Sequence, residues 1–165
     1  MGDLLKGKRG LVMGVANERS IAWGIAKALA GDGAELAFTY QGDMFAERVR
    51  PLAESVGSDL LIDVDVTNDD SLDAAFGTLA DRWGKLDFVV HAIAFSNKDE
   101  LTGRFMNTSR ENFKNSLDIS CYSLIEVARR AHPLMAEKKT NMTLTYGGSN
   151  RVTPLYNVMG VAKAA

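Results

Sequence analysis

One cysteine, Cys121, stands in 165 residues, which excludes an internal disulfide and, with no ligand-like spacing around it, a thiolate metal cluster. Its place in a helical stretch reads as packing, and a lone thiol fits a reducing compartment. Three prolines in the whole chain, with no tract rich in Pro, Gly or Ser and no internal repeat, leave no place for a linker or second domain to begin. No run of about twenty apolar residues occurs, and the opening "MGDLLKGKRG" lacks the apolar core of a secretory signal. The expected location is therefore cytoplasmic, without a membrane partner. Gly2 does not start a myristoylation motif, because Lys6 stands where Ser or Thr is required. A formal charge of −2 supplies no basic face for nucleic acid. Both histidines have bland readings: His91 belongs to an apolar strand and His132 to a helix end, where a cation sits comfortably.

What is present is the composition of an ordinary globular protein, 46% hydrophobic and 24% charged. The length suits one domain over residues 1–165, able to bury about two-thirds of its unfolded surface. Apolar runs alternate with amphipathic stretches. "RGLVMGV", "AELAFTY", "DLLIDVDV", "KLDFVVHAIAF" and "NMTLTYGGS" read as strands. Helices are expected in "SIAWGIAKALAGDG", in "DMFAERVRPLAESVG" with Pro51 bending or breaking it, in "NDDSLDAAFGTLADRWG", and from Ser109 to Ala136 behind the capping signal Thr108-Ser109-Arg110-Glu111. A last helix carries "YNVMGVAKAA". Nearly continuous apolar strands separated by long helices predict an α/β, doubly wound, Rossmann-like parallel sheet, whose ligands sit beyond the carboxyl ends of the strands.

Chemistry is thus sought in the loops after each strand. The first, "GVANERSIAWG", sets Gly14 and Ser20 where a tight turn and a helix N-terminus can face a pyrophosphate; Ser20 as a plain N-cap with Gly24 as a packing residue explains the letters equally well. After the second strand stands Gln41, neither the acid that binds an adenosine ribose nor the cation that binds a 2′-phosphate. With no Arg or Lys in "QGDM", NADH is favoured over NADPH. Asp65 and Val66 close the third strand, suited either to an adenine edge or to capping their own loop. The small and apolar residues Ala92 to Ser96 would admit a flat ring. In the final stretch, Tyr156, Met159, Gly160 and Lys163 fall on one face of a helix, with Tyr156 and Lys163 about 10.5 Å apart along its axis. A tyrosine and a lysine on that face favour function over packing.

At these residues the sequence resembles the NADH-dependent enoyl-acyl-carrier-protein reductases, a divergent branch of the short-chain dehydrogenase/reductase family. The likeness rests on the Tyr156-x6-Lys163 spacing with Tyr146 ten residues upstream, on the first loop Gly14-x5-Ser20-Ile21-Ala22-x-Gly24, and on "HAIAFS" and "DISCYSL". It implies that Gly14, Ser20, Ile21, Gln41, Asp65, Val66, Ile93 and Lys163 contact NADH, that Ser96 lies near the acyl substrate, and that Tyr146 and Tyr156 are the catalytic pair with Lys163 beside them. No metal is implied. The implied reaction reduces the 2,3 double bond of a trans-2-enoyl group on acyl carrier protein, with Tyr156 donating a hydrogen bond to the thioester oxygen and Lys163 serving chiefly the nicotinamide ribose.

The resemblance also implies a homotetramer built on the long helix and the terminal helix, and a chain that ends before the family's last strands. Two alternatives stand beside it. A carbonyl-reducing member of the superfamily would need Tyr-x3-Lys, and Met159 occupies that tyrosine's position. A truncated nucleotide-binding fragment would bind the cofactor without turnover.

Overall fold

The computed structural model describes residues 2–165, with residues 136–138 followed along the backbone only. Five parallel strands form its sheet: β1 (Arg9–Met13), β2 (Glu35–Tyr40), β3 (Leu60–Asp63), β4 (Leu86–His91) and β5 (Met135–Thr143), in the order β3-β2-β1-β4-β5. The helices are α1 (Ile21–Gly31), α2 (Asp43–Ser55), α3 (Asp69–Trp83), α4 (Arg110–Leu117), α5 (Ser123–Ala131) and α6 (Asn157–Ala164). The chain divides into two units, residues 2–92 with 128–143, and residues 93–127 with 144–165.

The first unit holds the sheet. Side chains alternate across a strand, so Val12, Leu36, Phe38 and Val90 share one face, where they pack with Ala22, Trp23 and Ala26 of α1 and Val49 and Ala53 of α2. Their neighbours Leu11, Met13, Ala37 and Val89 point the other way and are buried as well. Burial of both faces is what makes these strands read as unbroken apolar runs. Helix α3 is bounded by two local devices: Asn68 accepts the Ser71 amide at its start, and Gly84 adopts φ 66° at its end.

Three expectations about the elements need correction. Pro51 does not break its helix; α2 runs continuously from Asp43 to Ser55, with Val49 and Ala53 buried on either side of an exposed proline. Burial of that face outweighs the one backbone hydrogen bond the proline forgoes. The helix expected to reach Ala136 ends at Ala131, followed by a 3-10 turn over His132–Leu134. Pro133 accounts for this, since it lacks an amide proton and disfavours helical geometry in the residue before it. The last strand consequently begins at Met135, six residues before the expected Asn141, and closes at Thr143. Charged letters in "AEKK" hide it. Backbone pairing with β4 determines its place, and an edge position in the described sheet leaves Lys139, Thr140 and Asn141 exposed.

The ends of β1 and β4 are joined by one buried carboxylate. Asp87 accepts the Lys8 ammonium at 2.9 Å and the Arg9 amide at 2.9 Å. Burial alone would raise its pKa; the bonds from Lys8 and the Arg9 amide outweigh that and hold it below the ordinary 3.8. A carboxyl with a depressed folded-state pKa stabilises above its unfolded value, and that contribution is lost as pH falls through the folded value. Asp87→Asn is therefore expected to lower stability by about 1–3 kcal/mol near neutrality. In melting curves taken as a function of pH, it should also flatten the loss of stability below pH 3.8.

Candidate active site

In the first unit the loops leave the carboxyl ends of β1, β2 and β3. Gly14 follows β1 with φ 95°, and a Cβ there would stand 2.1 Å from the Ala92 carbonyl oxygen beyond β4. Only glycine permits this approach, which lies where strand order reverses about β1. The turn then curls around Ser20, whose hydroxyl accepts the amides of Ala16 at 3.0 Å and Asn17 at 3.1 Å. Ser20 holds the N-cap position of α1 without capping it by its side chain. Ser20 is thus an N-cap by position whose hydroxyl serves the loop amides instead of the helix. The first amides of α1, from Ile21 and Ala22, have no intrahelical acceptor, and Ile21 is exposed. These donors, a helix N-terminus and a side-chain-free Gly14 fit a pyrophosphate.

Gln41 is exposed after β2, beside Gly42 at φ 74°. Asp65 is half-buried, and one carboxylate oxygen accepts both the Thr67 amide at 2.9 Å and the Thr67 hydroxyl at 2.7 Å. Of its two readings, the loop cap is the one these bonds display. Val66 beside it is half-buried. Among the described residues, no cluster of His, Cys, Asp and Glu could hold a metal ion.

The second unit carries the tyrosines, the lysine and a polar frame. Tyr156 and Tyr146 meet edge to face, with ring centroids 4.9 Å apart at 64°. Burial raises the Tyr156 phenol above the ordinary 10.0, and Tyr146 raises it further. Lys163 donates to the Leu144 carbonyl at 2.9 Å, and burial lowers its ammonium below the ordinary 10.5. Thr145 closes the same corner by donating from its hydroxyl to the Lys163 carbonyl at 3.1 Å. The helix stops short of one expectation: α6 begins at Asn157, so Tyr156 is its N-cap, at φ −122° and ψ −23°, and Leu155 and Asn157 on either side have φ 62° and 32°. The tyrosine is thus presented by a turn, while Met159, Gly160 and Lys163 follow on the helix.

Ile93 and Ser96 are half-buried in the segment that opens this unit. Ser96 receives the Ser116 hydroxyl at 2.9 Å and donates to Asn112 Oδ1 at 3.3 Å. Asn112 Oδ1 also accepts the Asn97 amide at 2.8 Å, and Ser120 both accepts the Phe95 amide at 3.0 Å and donates to the Phe95 carbonyl at 3.1 Å. Between α4 and α5 the helix widens to π geometry over Asp118–Tyr122, and Ser120 lies in that segment. Sequence reasoning passed over Asn112, Ser116 and Ser120, although polar residues at a four-residue repeat inside a helix announce a common face. It also passed over Gly148, against which the Tyr156 and Tyr146 rings pack.

Comparison with known proteins bears directly on this arrangement. Residues 14–165 match the family model described as enoyl-(acyl carrier protein) reductase.

The chain belongs to the enoyl-(acyl carrier protein) reductase family.

A curated relative, the enoyl-[acyl-carrier-protein] reductase [NADH] 2 of Rhizobium meliloti (strain 1021), is 61% identical over all of this chain and 62% of its own length. The crystal structure of FabI from Candidatus Liberibacter asiaticus superposes with a TM-score of 0.98 at 54% identity, over 100% of this chain and 64% of that one. The Anaplasma phagocytophilum reductase, solved in complex with NAD, gives a TM-score of 0.97 at 53% identity, with the same 100% and 64% coverage. The chain thus spans somewhat under two-thirds of the length of these reductases.

The most confined glycine of the second unit is Gly148, where a Cβ would lie 2.7 Å from Tyr156 Cδ1 and 3.1 Å from Tyr146 Cδ1. Gly148→Ala is expected to force the two rings apart at a cost of about 1–3 kcal/mol. The measurable signs are a lower melting temperature and a weakened Overhauser effect between the rings; an unchanged effect would contradict the contact.

Proposed function

We propose that this chain is the dinucleotide-binding and catalytic part of an NADH-dependent enoyl-acyl-carrier-protein reductase, acting on trans-2-enoyl thioesters in fatty-acid elongation in the cytoplasm. In this reading residues 1–165 belong to a single Rossmann-like domain. The observation that carries it is the Tyr156 phenol, half-buried, kept in its protonated form by burial and by Tyr146, and set at the start of the helix that carries Lys163. Bound NADH would supply the hydride for the β-carbon of the enoyl group, and a proton taken up at the α-carbon would complete the reduction.

The chain's own residues do the rest. Gly14, Ser20 and Ile21 hold the pyrophosphate by a close backbone approach and free amides. Gln41 lies on the adenosine ribose side, without a cation for a 2′-phosphate. Asp65 and Val66 receive the adenine, and Ile93 the nicotinamide end. Ser96 borders the acyl thioester. Tyr156 donates a hydrogen bond to the thioester oxygen as charge builds there, and a phenol that resists ionisation remains a donor throughout the neutral range. Tyr146 limits water at that hydroxyl. Lys163, partly desolvated, binds the nicotinamide ribose hydroxyls.

Crotonyl thioester and NADH test this with the full chain: dinucleotide oxidation that depends on the thioester is expected, and binding of NADH without turnover would favour a nucleotide-binding role alone. Tyr156→Phe should cost about a hundredfold in kcat with little change in NADH affinity, whereas Lys163→Met should weaken NADH binding itself. Loss of the chemical step alone in Lys163→Met would overturn the assignment to the ribose.

The reading extends to a homotetramer, supported by exposed Phe113, Tyr122 and Ile125 along the 110–125 helical run. Ile125→Glu is expected to shift the sedimenting species to a smaller assembly. An unchanged sedimentation coefficient would place the contact elsewhere.

A further inference from the structure

The turn that presents Tyr156 is strained, and one polar side chain in it ties it to a segment more than fifty residues earlier. Leu155 and Asn157 both take positive φ, 62° and 32°, in the region that L residues seldom enter. Asparagine tolerates it; leucine does not, and Leu155 is 68% exposed, so packing does not hold it there. What does engage the protein is the Asn157 amide, which donates to the Glu100 carbonyl at 3.0 Å and the Thr102 carbonyl at 3.3 Å.

The first of those carbonyls belongs to a residue that is itself anchored. The Glu100 carboxylate accepts the Ser109 amide at 2.8 Å, the Ser109 hydroxyl at 2.8 Å and the Asn112 amide at 3.3 Å. The Ser109 amide, foremost among these bonds, holds its pKa below the ordinary 4.5. Asn112, buried, is the residue whose oxygen receives Ser96 and the Asn97 amide. A continuous set of hydrogen bonds therefore runs from Ser96 through Asn112 and Glu100 to Asn157, the residue bonded to Tyr156.

We propose that Asn157 is a positioning residue for the Tyr156 phenol, its side-chain amide clamping the turn to the Glu100–Thr102 segment so that Ser96 and Tyr156 share one rigid frame. The inference rests on the reading of Tyr156 as hydrogen-bond donor to the substrate. Asn157 touches no reacting atom in this scheme. Its effect passes through the angle at which the turn delivers the phenol, where a displacement of about 1 Å is worth up to about a hundredfold in rate.

Two variants separate the amide from the backbone: Asn157→Asp keeps the shape and tolerates positive φ but sets a carboxylate against two carbonyls, and Asn157→Gly keeps the turn's freedom while removing the donor. Both are expected to lose about tenfold or more in kcat with crotonyl thioester, while KM for NADH stays within about twofold of the unmodified protein's, as a displaced phenol and an intact dinucleotide site require. NMR with Cζ-labelled tyrosine, the signal assigned by Tyr156→Phe, should show the Tyr156 phenol titrating lower in Asn157→Gly as it gains solvent, with no new charge beside it. In the unmodified protein the Asn157 side-chain amide protons should exchange slowly with water.

Unchanged kcat in Asn157→Gly overturns the proposal, as does an unmoved titration or rapid exchange of those amide protons. If the unmodified protein oxidises no NADH with the thioester, the functional reading falls, and the titration and exchange measurements still decide the positioning claim.

Discussion

Strand β1 pairs in parallel with β2 on one side and with β4 on the other, and this double ladder is the constraint from which the first unit follows. Because the chain winds outward from β1 in both directions, the segments after β1 and β4 leave the sheet side by side. Their separation leaves no room for a side chain at position 14. The requirement for glycine there is thus a result of strand order. The orientation of the Ala16 and Asn17 amides toward the Ser20 hydroxyl follows in turn, since the loop must turn back within six residues to start α1.

A different principle organises the second unit. Its framework is polar: Asn112, Ser116 and Ser120 are buried, with hydrogen-bond partners supplied by the backbone of Phe95 and Asn97 and by the Ser96 hydroxyl. Buried polar groups demand partners at fixed angles, so they specify a loop conformation more narrowly than apolar contact would. Residues meant to meet a substrate gain from that rigidity. The tyrosines are arranged by contact and exclusion instead, with Gly148 leaving the space that their rings fill.

The alternation of strands and helices was legible because sheet burial on both faces writes itself as apolar runs, and Gly14, Ser20, Tyr156 and Lys163 stood out by residue type and spacing. Less legible were elements whose cause is not in their own letters. Strand β5 exists through its pairing with β4, and α2 survives Pro51 through the packing of Val49 and Ala53. The capping signal Thr108-Ser109-Arg110-Glu111 fell one residue early: Ser109 is the N-cap, its hydroxyl accepting the Asn112 backbone amide, while the Thr108 hydroxyl donates to the Phe105 carbonyl. Periodicity put Tyr156 on the last helix, but Tyr156 itself lies outside helical geometry, at φ −122°, and the helix begins one residue later, behind the positive φ of Leu155. Such a turn has no signature beyond an asparagine, and the carbonyls that hold it lie more than fifty residues earlier in the chain.

The wide π turn at Asp118–Tyr122 has a bearing on how this protein tolerates changes of length. A helix that already accommodates one surplus residue keeps the segments on either side of it in register: delete a single amino acid there and the turn closes to the regular repeat, whereas the same deletion within α4 or α5 would rotate everything downstream by about 100°. The cost at the wide turn would fall on Ser120 and its two bonds to the Phe95 backbone. This short irregular coil is thus the place where the segment can lose one residue at the expense of a local contact alone.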